Sequence, residues 1–71
     1  MGPRVRQARR RSQPRMTQSD LAARLQVRGV AVSAKMVAKI ETGVREVTDY
    51  ELVALAGVLG VSAAWLLGEA Q

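Results

Sequence analysis

The sequence contains no cysteine and no histidine. Without cysteine no disulfide framework can brace the fold, a composition that fits a reducing, cytoplasmic setting. With neither residue, a zinc site would have only carboxylates as ligands, so no metal is expected. The two absences also remove the commonest general base and the most reactive nucleophile. The four serines and six carboxylates that remain form no recognisable catalytic constellation, and neither an enzymatic activity nor a cofactor is expected. The only aromatics are Tyr50 and Trp65, a poor supply for the stacking surfaces that single-stranded RNA readers use. No apolar run approaches the ~20 residues of a membrane span. No apolar h-region follows the basic start, so no secretory signal is expected either.

What the chain does have is arginine. The net charge is +5, and Arg4, Arg6, Arg9, Arg10, Arg11 and Arg15 all precede the first acidic residue, Asp20. An excess of this kind suits a polyanionic partner, whether DNA, RNA or an acidic membrane surface, unless it is only a solvated basic tail. A membrane-surface role needs an amphipathic basic helix, which residues 4–12 provide only in part. With 71 residues, 48% of them hydrophobic, the chain makes one domain with a small core.

Capping residues and apolar spacing predict an all-α fold of five helices. The first is expected over about Arg4–Ser12, with Pro3 suited to its start and Pro14 past its end. Residues 1–3 are expected to be disordered and 68–71 to form a tail. Thr17 is a good N-cap for the second helix, and Asp20, three residues on, makes an acidic variant of the capping box. Leu21, Ala22 and Leu25 form that helix's apolar stripe, and Gly29 is its natural stop. Val30, Ala31 and Val32 follow as an extended linker. Ser33 caps a third helix that runs through Val37 and Ile40 to Thr42, with Gly43 as the left-handed stop. Thr48 and Glu51 complete a T-x-x-E box for the fourth helix, whose stripe is Leu52, Leu55, Ala56 and Leu59. Gly60 ends it, and Ser62 caps a short last helix with Trp65, Leu66 and Leu67. These stripes are core positions, and by themselves they say only that the domain is helical.

Three motifs in order say more: Thr17-Gln18 followed by Leu21-Ala22, then Ile40-Glu41-Thr42-Gly43, then Leu59-Gly60-Val61-Ser62. Together they resemble the XRE family, the helix-turn-helix domains of phage Cro proteins and repressors. The likeness extends from about Val5 to Leu67. It implies a compact, lambda-repressor-like five-helix bundle that binds double-stranded operator DNA, usually as a symmetric homodimer, as a transcriptional regulator. The second and third helices would form the motif, with the third in the major groove. One departure stands out. The stretch between Leu25 and Ser33 is longer than the family's very short link, and Val32 is expected to take the apolar turn position.

The resemblance also assigns roles. With Val37 and Ile40 facing the core, Ser33, Ala34, Lys35 and Lys39 become the base-reading positions. Lysine can donate to guanine O6 and N7, and alanine can pack on a thymine methyl. Thr17, Gln18 and Arg45 fall where the family meets phosphate, although Arg45 could instead pair with Glu46. Arg10, Arg11 and Arg15 are expected to add sequence-independent phosphate contacts. Glu41 is expected to pair with an arginine of the first helix, Arg9 first and Arg10 as the fallback. Met36 could pack on the Val30–Val32 segment or face the groove, with packing the expectation, and Trp65 is expected to lie in the core. The rival to a regulator is a protein-interaction module, such as an antitoxin, using the same domain.

Overall fold

The computed structural model describes residues 1–68. They form α1 (Gly2–Arg11), α2 (Gln18–Val27), α3 (Ala34–Glu41), α4 (Asp49–Leu59) and α5 (Ala63–Leu66), with no strand among the described residues. The part of the expected tail beyond Gly68 lies outside them.

Four of the five helices open on a hydroxyl cap. The side chains of Thr17, Ser33, Thr48 and Ser62 each accept a hydrogen bond from the backbone N–H three residues ahead. At α2 and α4 the box is reciprocal. The Asp20 carboxylate accepts from the Thr17 N–H at 2.9 Å and that of Glu51 from the Thr48 N–H at 3.1 Å. Each cap satisfies amide groups that a helix start otherwise leaves open. The fourth helix stops where Gly60 turns left-handed at φ +69, and the backbone after α3 turns the same way at Gly43.

The chain starts differently from the expectation. Residues 1–3 are placed: α1 begins at Gly2, Gly2 is buried, and Met1 packs against the core. A Cβ on Gly2 would stand 2.5 Å from the Ile40 and Glu41 carbonyl oxygens, so only glycine lets α1 lie this close to the end of α3. The helix also ends before Ser12, at Arg11, with an extended cap well ahead of Pro14.

Val5, Leu21, Leu25, Val37, Leu55 and Leu66 are fully buried and come from all five helices among the described residues. α1 crosses α3, α4 and α5, and α2 packs on α3 and α4. The fourth helix turns Ala54 and Leu55 inward, while Leu52, Ala56 and Leu59 are only partly covered. The α2–α3 connection is as much core as link. Val30 and Val32 are buried, and the Gln26 amide donates to the Val32 carbonyl at 2.7 Å. The Tyr50 hydroxyl donates to the Arg28 carbonyl at 2.8 Å, tying the end of α2 to α4. α2 itself ends at Val27, with Arg28 as its cap and Gly29 beyond it in the left-handed region.

Candidate nucleic-acid interface

The third helix has two clearly different faces. Val37, Ile40 and Glu41 are buried, while Lys35, Lys39 and Thr42 are exposed. The exposed residues are spaced by four and three, which places them on one stripe opposite the buried face. Ser33, the cap, is exposed at the start of this stripe. Ala34 and Ala38 flank it half-buried on one side, and Met36, also half-buried, flanks it on the other.

Glu41 fixes the orientation of this helix. Arg9 grips its carboxylate with both forks, Nε to Oε2 at 2.6 Å and Nη2 to Oε1 at 3.0 Å. Arg9 Nη1 then donates to the Met16 carbonyl at 3.1 Å, which anchors the α1–α2 loop to the same pair. Arg6 adds a longer contact at 3.4 Å, and the Gln18 amide donates to Oε1 at 3.2 Å. Glu41 therefore joins α1, the first residue of α2 and the end of α3. Burial pushes its carboxyl up, but the hydrogen bonds from Arg9, Gln18 and Arg6 and the charge of Arg9 outweigh that effect and hold it below the ordinary glutamate range. Bonding to Glu41 raises the Arg9 guanidinium in turn.

The expected phosphate ligands divide into groups. Arg10, Arg15, Thr17 and Gln18 line one open pocket with Arg9 and Met16, of about 520 Å³, at the N-terminus of α2. Arg11 lies elsewhere, with its guanidinium 5.3 Å from the Trp65 ring centre. Arg4 covers the same ring at 5.0 Å and donates to the Trp65 carbonyl at 2.9 Å. Trp65 is thus half-buried beneath two arginines rather than enclosed in the core. Arg45 forms a bidentate pair with Glu51, at 3.0 and 2.7 Å, and reaches the Glu46 backbone carbonyl rather than its carboxylate. The hydrogen bond from Arg45 lowers the Glu51 carboxyl, and the Arg45 guanidinium is raised.

Two of these partnerships were not expected. Glu51 serves Arg45 as well as its cap, and Gln18 turns toward Glu41 instead of outward. Arg6 could have been found from sequence, since it lies three residues before Arg9 and so shares its face of α1. Among the described residues, Arg10, Arg15, Lys35 and Lys39 are cations left without a side-chain partner, whereas Arg6, Arg9 and Arg45 are engaged by carboxylates. No group of acidic residues among those described could hold a metal ion, and no described helix is long and apolar enough to cross a membrane.

Five helices arranged in this way, with a capped and exposed third helix, define a helix-turn-helix domain. A family model described as Helix-turn-helix matches residues 5–66, and the chain belongs to that family, in its XRE branch. It is therefore a domain of the DNA-binding, transcription-regulating kind, a class not typically enzymatic. No curated protein and no solved structure matches the chain.

Proposed function

We infer that the domain is a sequence-specific repressor that lays α3 in the major groove of a two-fold symmetric operator. One observation carries this reading: the exposed stripe Lys35–Lys39–Thr42 stands opposite a face locked inward by Glu41. A recognition helix needs both, because its base-reading side chains must be presented in a fixed orientation. Lys35 and Lys39 are the base readers, and Ser33 and Ala34 sit at the end of the helix that enters the groove. Arg10, Arg15 and Thr17 form the phosphate clamp, and Gln18, whose side chain is turned to Glu41, contributes only its backbone N–H at the start of α2. A helix N-terminus flanked by free arginines favours an anion. Arg45 acts instead as a brace for the start of α4, and Arg11 as a cover for Trp65.

The direct test is binding selection from a random double-stranded DNA library. The expected result is an enriched palindrome with half-sites about one helical turn apart, ~34–36 Å. Retention of every sequence alike would reject specific recognition.

A further inference from the structure

The long α2–α3 connection builds an open apolar notch beside the start of α3. Gln26, Met36 and the 29–33 segment line it, over a volume of about 580 Å³. Its floor is firm, since Val30 and Val32 are buried and the Val32 N–H donates to the Val30 carbonyl at 3.0 Å. That tight turn leaves Ala31 exposed between two anchored neighbours. On the helix side stands Met36, on the flank of α3 away from Ala34 and Ala38.

Two polar side chains of the notch already hold hydrogen bonds. The Gln26 amide is bound to the Val32 carbonyl, and the Ser33 hydroxyl accepts from the Met36 N–H at 3.2 Å. A phosphate would find no charged donor among the lining residues. A small organic ligand would find too little cover, since such sites bury most of the ligand's surface. The notch instead adjoins the N-terminal end of α3, the end by which recognition helices reach base edges. At those edges the major groove offers a single apolar group, the C5-methyl of thymine.

We propose that Ala31 and Met36 are specificity-determining residues that receive a thymine methyl group of the bound operator. This rests on the DNA-binding reading above and extends it to a surface that the lengthened turn creates. The domain reads a thymine on the turn side of α3, independently of Lys35 and Lys39.

The test uses the selected operator with each thymine replaced in turn by deoxyuridine, which removes only the methyl. At one thymine per half-site the wild-type domain should bind about fourfold more weakly, the effect of ~0.8 kcal/mol for one methyl-sized group. Met36→Gln and Ala31→Ser should bind both duplexes equally. Ala31 is exposed, so its variant keeps the test decisive if Met36→Gln fails to fold. No deoxyuridine effect at any thymine would overturn the proposal. So would an effect that survives in Ala31→Ser and disappears only in Ala34→Gly, which would assign the methyl to the opposite flank. Failure to enrich any DNA site would reject the parent reading as well, an outcome distinct from an operator whose methyl groups do not matter.

Discussion

Arg9 and Glu41 lie 32 positions apart and meet as a buried bidentate pair, with 9% and 0% of their side chains exposed. The pair ties the end of α3 to α1. Its carboxylate also takes a hydrogen bond from Gln18, so the end of the candidate recognition helix and the start of α2 share one anchor.

Removing one partner should therefore cost more than a surface ion pair would. Glu41→Ala leaves the Arg9 charge buried with only the Met16 carbonyl for company. Loss of one member of a buried pair costs ~3–5 kcal/mol. A chain of this length has only about 4–11 kcal/mol in total, at ~0.05–0.15 per residue. Glu41→Ala is expected to be largely unfolded or to melt far below the wild type, as read by circular dichroism on heating. A melting temperature equal to that of wild type would show that the pair contributes nothing.

Stability should also fall in acid. Asp20 is lowered chiefly by its backbone hydrogen bond to Thr17 and Glu51 chiefly by its hydrogen bond from Arg45. For Glu41 the donors outweigh the effect of burial. A carboxyl whose folded value is depressed binds fewer protons folded than unfolded, so its contribution is complete above the unfolded value. For a glutamate that value is 4.5. The contribution is lost as pH falls through the lower folded value. Thermal melts should be flat from neutral pH down to about pH 5 and drop steeply below ~4. Glu41→Gln should show a shallower acid limb, and an unchanged limb would exclude Glu41 as a source of the effect.

The free cations should separate by kind. Lys35→Ala and Lys39→Ala are expected to keep the wild-type melting temperature, since both side chains are exposed. Each should shift the preferred site in a selection experiment and cost ~1–3 kcal/mol on the original operator. Arg10→Ala and Arg15→Ala should leave the preference alone and weaken all DNA alike. Each should reduce the slope of log affinity against log salt by about 0.9 for every phosphate that the variant no longer neutralises. Identical preferences for wild type and both lysine variants would remove them as readers.

The helices were legible because their signals are local. Thr17, Ser33, Thr48 and Ser62 declare four starts, and Gly43 and Gly60 declare two stops, without reference to the rest of the chain. The long-range partners were legible only where a motif supplied them, as for Arg9 and Glu41. Arg45 shows why. Its charge and its place after Gly43 suit a phosphate ligand, but whether it points to DNA or to Glu51 depends on how the α3–α4 loop returns. Spacing along the chain does not contain that geometry. Gly2 shows the same limit, because its burial depends on carbonyl oxygens 38 and 39 residues further on, at Ile40 and Glu41. The lengthened turn was visible as a count of residues, but its anchoring by Val30, Val32 and Gln26 was not.

The bound unit is expected to be a pair of domains. One domain presents one recognition helix, and a single module of this kind covers only ~600–1,000 Å² of DNA contact. That area reads too few base pairs to single out one site in a genome. Two domains on a palindrome double the specific contacts and fix the spacing of the half-sites. The surface available for pairing includes the end of α5, where Leu66 is fully buried and Leu67 remains 46% exposed. A contact that small would assemble on DNA and not in free solution. Sedimentation should therefore show a monomer without DNA, and titration of the selected palindrome should saturate at two chains per duplex. Leu67→Glu should weaken binding to the full palindrome and leave half-site binding unchanged. Saturation at one chain on an asymmetric site would exclude the paired arrangement.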